Sequence, residues 1–491
     1  MRFTRVFTTA GICAPSRAAH ILGVHQVASG TQHMRTSSRP QGGYVAVPPA
    51  QLKAYPELLR GAGYFTFTDD KLDYQFSGAF AGSGPASIWD AEGVDDWRGR
   101  ATDQPFFGLR NFLHTHESGL FAPLGSLPHS MTHFVIQLMR WWGLDDTATG
   151  VTDPSLIELP PYYPDTPTVR ADMARHYDNI SAMDAAVGRL LQQLESDGLA
   201  DSTIVIWTSD HGDGLPRAKR ELRDSGIHVP MIVRWPDRLR PDWARPGSID
   251  GRLVSFVDLA PAVLALAGVA PPRYLVGSNF LASADAQRDY IFAARDRIDE
   301  VPDRQRAVRD GRFKYIRSWR PDQSEGHELA FRENIDMVRE LRAMHRAGLL
   351  TSEQELWFSP VGKERLYDLE QDPHELHNLV DDPAYAQDLR RLRTVLSNWC
   401  REVGDEPHEP ESAMLTRINP ANEQPQTSAP SIAVRGAAWV LTVDEPGASI
   451  SYRLDGGNWR VYTQPVPQKA GANLEAKAQR YGWRESEIVA L

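Results

Sequence analysis

The sequence predicts an α/β fold built around a mostly parallel central sheet. Short apolar, β-branched runs alternate with helical stretches along most of the chain. Two polar clusters, at His114 and at Asp210, begin where such runs end. In open α/β sheets the chemistry collects at the carboxyl ends of strands, so these clusters mark the expected site.

Taken in order, LKAYPELLRGAG reads as a helix closing at Gly61 and Gly63, followed by a strand at 64–68 (YFTFT). Residues 105–113 (PFFGLRNFL) read as a buried strand ending at His114. Between 171 and 194, Met173, Tyr177, Ile180, Met183, Val187, Leu190, Leu191 and Leu194 recur at helical spacing, which predicts a long amphipathic helix. Residues 203–208 (TIVIWT) read as a fully buried strand running into Ser209-Asp210-His211-Gly212, and 229–235 (VPMIVRW) as another strand. The most apolar stretch, 253–270, carries Asp258 and Pro261 at its centre. A central Asp costs ~2.5–3.5 kcal/mol in a bilayer, so a buried amphipathic helix is expected there and no membrane span. Strands follow at 311–317 and 365–369, then the turn-rich EQDPHELHNL and a final amphipathic helix at 382–403. These readings divide the chain into a main α/β domain at 1–308, a smaller α+β subdomain at 309–405, a linker at 406–430 rich in Pro and polar residues, and a small β-sandwich at 431–491.

The length of 491 residues suits two or three domains at ~150 residues each. A net charge of −11 argues against nucleic acid or an anionic membrane as the main partner. A small anionic substrate needs only a local group of cations. Cys13 and Cys400 are the only cysteines, too few for a disulfide framework. Thr8, Thr9, Gly11 and Pro15 interrupt the first apolar run, so no export signal is expected as written. The compartment is therefore left open, with the periplasm or the exterior expected if a further segment precedes Met1.

Four segments carry the chemistry. Cys13-Ala14-Pro15-Ser16-Arg17 opens a helix that ends at Gly23. Thr208-Ser209-Asp210-His211-Gly212 is followed by Pro216-Arg217-Ala218-Lys219 and by DSGIHVP. His114-Thr115-His116 follows the PFFGLRNFL run, and Lys71 follows YFTFTDD. A carboxylate at a strand end suits a hard cation. An imidazole near neutral pKa suits a general acid.

Together these segments resemble the type I, formylglycine-dependent sulfatases, over about residues 1–405. TIVIWTSDHG with PRAK and DSGIHVP is most similar to bacterial relatives of heparan N-sulfatase. The resemblance implies an alkaline-phosphatase-like fold and hydrolysis of a sulfate ester or sulfamate on a sulfated carbohydrate. It implies that Cys13 is oxidised to formylglycine by a formylglycine-generating or anaerobic sulfatase-maturating enzyme. The hydrate attacks with one oxygen and releases sulfate by collapsing to the aldehyde, a route that a plain thiol or alcohol lacks. Arg17 would hold that hydrate, His114 would protonate the leaving oxygen with His116 as the other candidate, and Lys71, Lys219 and His116 would bind substrate. One calcium ion would be held by Asp210, His211 and position 13. Asp73 stands where the family has a histidine, and His33 is another candidate for that role. The family also has an earlier strand ending in an Asp-Asp metal pair, which this sequence lacks; an internal start or an impaired enzyme would each account for that. The tail resembles the β-sandwich of chitobiase-type hexosaminidases, in keeping with a glycan substrate. Two alternatives remain open from sequence, a phosphonate or phosphodiester hydrolase and a catalytically impaired glycan-binding relative.

Overall fold

The computed structural model describes residues 1–491 apart from 40–41, 70, 94–95, 122–124, 143–150 and 419–422. The chain opens with β1 (Arg2–Phe7) and, after a short turn, α1 (Cys13–Leu22). It continues through α2 (Tyr55–Gly61), β2 (Phe65–Thr68), β3 (Ala91–Glu92), β4 (Phe106–Leu109), α3 (Met131–Trp141) and α4 (Pro167–Ser196). β5 (Val205–Thr208), β6 (His228–Arg234), β7 (Ile249–Asp250), β8 (Val254–Ser255) and α5 (Leu259–Leu266) complete the main domain.

Two sheets share the parallel character that the sequence predicts. One has the order β3-β2-β4, and both of its pairings are parallel. The other has the order β5-β6-β1-β7, with β8 also on β1. There β1 runs parallel to β7 and β8, while β6 runs antiparallel to β1 and β5. Because β6 returns beside β5, the connection 209–227 folds over the carboxyl end of β5. That connection carries Asp210, His211, Arg217 and Lys219.

Several elements differ from expectation. β5 is half-exposed rather than fully buried, because it lies at the edge of its sheet. The strand expected at 105–113 stops at Leu109, where Asn111 turns its backbone N–H to Asp69 Oδ1 at 2.8 Å. In the 253–270 stretch the helix proper starts only at Leu259. The buried Asp258 carboxylate accepts from the Ser255 and Ser278 N–H groups at 2.8 and 2.7 Å and pairs with Arg288. A charge that would be costly in lipid is thus a satisfied cap.

The second domain begins earlier than residue 309. β9 (Ile291–Arg295), β10 (Gln305–Arg309) and β11 (Phe313–Ser318) form one antiparallel sheet with β12 (Glu364–Asp368). The 308/309 boundary therefore cuts β10. Between β11 and β12 lies α6 (Asp336–Ala347), and α7 (Ala386–Glu402) covers the sheet with Leu389, Leu392, Leu396 and Trp399. The 406–430 segment is not a free tether either. It contains α8 (Glu411–Ile418), whose Met414 and Leu415 pack on Tyr44 and whose Glu411 pairs with Arg297 at 2.9 Å.

The last 61 residues of the sequence hold β13 (Ser431–Arg435), β14 (Ala438–Thr442), β15 (Ser449–Leu454), β16 (Arg460–Val461), β17 (Val466–Pro467), β18 (Leu474–Gln479) and β19 (Val489–Ala490). They make sheets β13-β14-β17 and β16-β15-β18-β19 around Trp439, Ile450, Val466 and Leu474. This module is docked firmly on α2. Buried Glu57 accepts from Ser87 Oγ and Tyr481 OH, both at 2.5 Å, and from Ser449. Arg60 donates to Trp459 O at 2.6 Å, and Tyr481 stacks on Phe76 at 5.0 Å.

Candidate active site

The turn from β1 into α1 meets the 209–227 connection at close quarters. A Cβ on Gly11 would lie 2.2 Å from Glu221 O, so a side chain there would force the two segments apart. Ser16 Oγ donates to Asp210 O at 2.6 Å and pins the far end of the contact.

Cys13, at the start of α1, is buried between two histidines. Its Sγ lies 3.2 Å from His211 Nε2, and the His116 side chain on the other side helps to lower its pKa. The rings present opposite faces of the same chemistry. His211 Nδ1 donates to Gly212 O at 2.7 Å, which leaves a lone pair on Nε2. His116 Nδ1 accepts from Ser118 N–H at 3.3 Å, which puts the proton on its Nε2. Position 13 therefore has a proton acceptor on one side and a proton donor on the other.

Charge reinforces this arrangement. Burial pushes the Cys13 thiol up, but the Lys219 and Lys71 charges hold it well below its ordinary range. Burial, with the charge of Lys219, brings His116 down to about 4, so it is neutral at pH 7. Burial works against the Lys71 ammonium, yet Cys13, Asp210 and Asp73 keep its pKa above the usual lysine value. Burial likewise opposes the Asp210 carboxylate, and His211 and Lys71 more than offset it.

Arg17 and Lys71 form the cationic wall. Arg17 donates through Nε to Leu72 O at 2.9 Å and through Nη2 to Asn111 Oδ1 at 2.8 Å. Its Nη1 and Lys71 Nζ each lie 3.7 Å from Asp210 Oδ2. With His116, Asp210 and His211 they line a cavity of about 530 Å³. Asn111 is not singled out by any motif; its one signal is its place just past a strand end.

Three expectations need correction. His114 does not line the cavity; its ring lies beside Phe112, 6.5 Å between centroids. A 3₁₀ turn at Leu113–Thr115 separates the two histidines and brings His116 to Cys13 instead. Lys219 does not line the cavity either. It is almost fully buried behind Cys13, with Nζ 3.2 Å from Glu117 Oε2. Glu117 also takes a two-pronged contact from Arg220 at 2.6 and 3.0 Å. His33 is buried away from the cavity, its Nδ1 accepting from Arg297 N at 3.3 Å. Asp73 sits close by, with Oδ2 4.0 Å from Lys71 Nζ and Oδ1 bonded to Arg35.

Cys13, Asp210 and His211 are the one group among the described residues that could hold a metal ion, their ligand atoms lying within 4.8 Å of one another. They bring one carboxylate, one imidazole nitrogen and one sulfur. Calcium takes about 6–8 oxygens. Asp210 also already faces two cations. The described residues alone do not make a calcium cage.

The sulfatase family profile matches residues 1–269. An ulvan-active sulfatase of Formosa agariphila is 38% identical over 516 aligned positions, covering 100% of this chain and 85% of the relative. Human N-sulphoglucosamine sulphohydrolase is 25% identical over 444, covering 82% of this chain and 83% of that protein. A structure solved with its substrate, D-glucosamine-2-N,6-O-disulfate, matches the fold with TM-score 0.53 at 15% identity, over 84% of this chain and 92% of that one. A profile that spans more than half of the chain, and a relative aligned along all of it, establish that this protein belongs to the sulfatase family.

Proposed function

We propose that this sulfatase hydrolyses a sulfate ester or sulfamate on a sulfated carbohydrate, with position 13 as the nucleophile. One observation carries the reading: Cys13 lies between the lone pair of His211 and the N–H of His116, beside a cavity walled by Arg17 and Lys71. The volume is that of a small-ligand site, and ulvan-active and N-sulphoglucosamine relatives support a sugar.

The chain's own side chains divide the work. Arg17 and Lys71 bind the sulfate oxygens and offset the charge that builds on them. His211 Nε2 accepts a proton from the group at position 13 as that group attacks. His116, neutral at pH 7, donates a hydrogen bond from Nε2 to the departing sugar oxygen or nitrogen, which takes its proton from water, in the place first expected for His114. Lys219 acts from behind, its charge favouring the anion at position 13 without touching substrate. Once a maturating enzyme has converted Cys13, the formylglycine hydrate supplies the nucleophilic oxygen and the means of releasing sulfate. Asp210 is the carboxylate offered to a divalent cation; His211 could join it only by giving up the Nε2 lone pair that serves as base, and no step is assigned to calcium.

The test compares kcat/KM for a sulfate ester and a phosphodiester with the same leaving group, on protein produced together with a maturating enzyme. The sulfate ester is expected to be favoured by at least about tenfold. A preference for the phosphodiester would reassign the enzyme to phosphoryl chemistry.

A further inference from the structure

Arginine burial sets one residue apart. Among the described residues, every other buried arginine has a carboxylate within ion-pair distance, as Arg220 has Glu117, Arg223 has Glu325 and Arg306 has Asp405. Arg217, only 2% exposed, has no such partner among them. Among the described residues its side-chain hydrogen bonds leave from Nη2, to the carbonyls of His374 and Glu375 at 2.7 and 3.0 Å, and Nε has no partner. A guanidinium buried without an anion is costly, and proteins keep such groups where something else completes them.

Its setting points to what that is. Arg217 lines the same cavity as Arg17 and Lys71, and so do Tyr162 and the exposed His374. The Tyr162 ring stacks on the guanidinium, 4.2 Å from centroid to Cζ. The backbone of Arg217 is held at φ +58°, a left-handed conformation that non-glycine residues rarely keep without cause. Ser225 Oγ donates to Arg217 O at 2.7 Å, and Tyr163 OH bonds the preceding carbonyl of Pro216. The segment is locked so that the guanidinium stays in the cavity wall. Burial and the nearby Arg223 charge draw its pKa below the usual arginine range, against the opposing pull of Glu375 and Glu325, neither of which reaches ion-pair distance.

We propose that Arg217, with Tyr162 and His374, forms a second anion subsite that binds a carboxylate or a further sulfate on the sugar next to the one carrying the scissile group. That the first sulfate lies against position 13 rests on the function proposed above; the subsite itself does not. A planar guanidinium suits carboxylate and sulfate alike, and Tyr162 offers a flat face for a sugar ring.

Calorimetric binding to the full chain with unconverted Cys13 tests this. Three disaccharides share one sulfate and differ in the neighbouring sugar: neutral, bearing a carboxylate, or bearing a second sulfate. At least one dianionic sugar is expected to bind about tenfold or more tightly than the neutral-neighbour sugar, and the stronger of the two names the anion. In Arg217→Gln that advantage falls to about twofold or less, while Arg217→Lys keeps part of it. If Arg217→Gln does not fold, Tyr162→Ala has to narrow the same gap. An advantage that survives the substitution, or equal binding of all three sugars, overturns the subsite. Hydrolysis of the monosulfated disaccharide alongside equal binding would overturn it while leaving the catalytic reading intact. A clear advantage with no turnover by converted protein would do the reverse.

Discussion

Cys13 has a front and a rear, and the two are built from the same residue types with opposite results. At the rear, Lys219 and Arg220 close on Glu117 at 2.6–3.2 Å, and Arg220 also meets Asp299 at 3.2 Å. All three of Lys219, Arg220 and Glu117 are at most 3% exposed. At the front, Arg17 and Lys71 stand 3.7 Å from one oxygen of Asp210, whose side chain is 26% exposed. The rear cluster is closed and satisfied, so it fixes the charge behind position 13 and does not meet substrate. The front cluster is looser, with Asp210 and Asp73 3.7–4.0 Å from its cations, and it faces the cavity, so its cations can turn to an anion. Residue identity alone does not distinguish the two lysines; closure does.

Breaking the rear should cost the most stability. Glu117→Gln leaves Lys219 and Arg220 buried without their shared carboxylate, a change expected to cost about 3–5 kcal/mol. Thermal unfolding measures it. A loss under about 1 kcal/mol would mean that the rear is not the rigid half.

The front should respond in the opposite sense. Lys71→Met is expected to lower turnover by about 10²–10³-fold, as loss of one charge-stabilising group does. Its effect on unfolding should be far smaller than that of Glu117→Gln. If Lys71→Met destabilises as much as Glu117→Gln does, the contrast between front and rear collapses.

The smallest effect is a pH dependence away from both clusters. Burial, first among the causes, draws His25 and His33 down to about 3. In the unfolded chain each titrates near ~6.5, so between there and about 3 the unfolded state binds more protons. Their contribution is present above pH ~6.5 and fades as pH falls, by up to about 1.4 kcal/mol per pH unit for each. His25→Phe, which keeps a ring against Trp399, should flatten the acid side of the stability profile. An unchanged slope would show that His25 is not neutral in the folded chain.

Much of this was legible in the sequence, because local motifs and strand ends are local facts. The Cys13-to-Arg17 turn, the Asp210-His211 strand end and the long helix at α4 all lie where their patterns place them. The misses are tertiary. Which histidine of His114-Thr115-His116 faces Cys13 depends on a 3₁₀ turn that composition does not signal. Whether Lys219 meets substrate or Glu117 depends on a residue 102 positions away in the sequence numbering. The Pro-rich composition at 406–430 suggested a tether, but composition does not reveal that Met414 and Leu415 have Tyr44 to bury against. The importance of Arg217 is visible only as a missing partner.

The central claim is that position 13 carries the reaction, and the direct measurement is peptide mass at that position against turnover of a sulfate ester. Conversion replaces one sulfur and two hydrogens of Cys13 by one oxygen. Across preparations with different degrees of conversion, turnover should rise in proportion to the converted fraction and vanish in Cys13→Ala. Full turnover from protein with an unmodified thiol, or none from fully converted protein, would contradict the account.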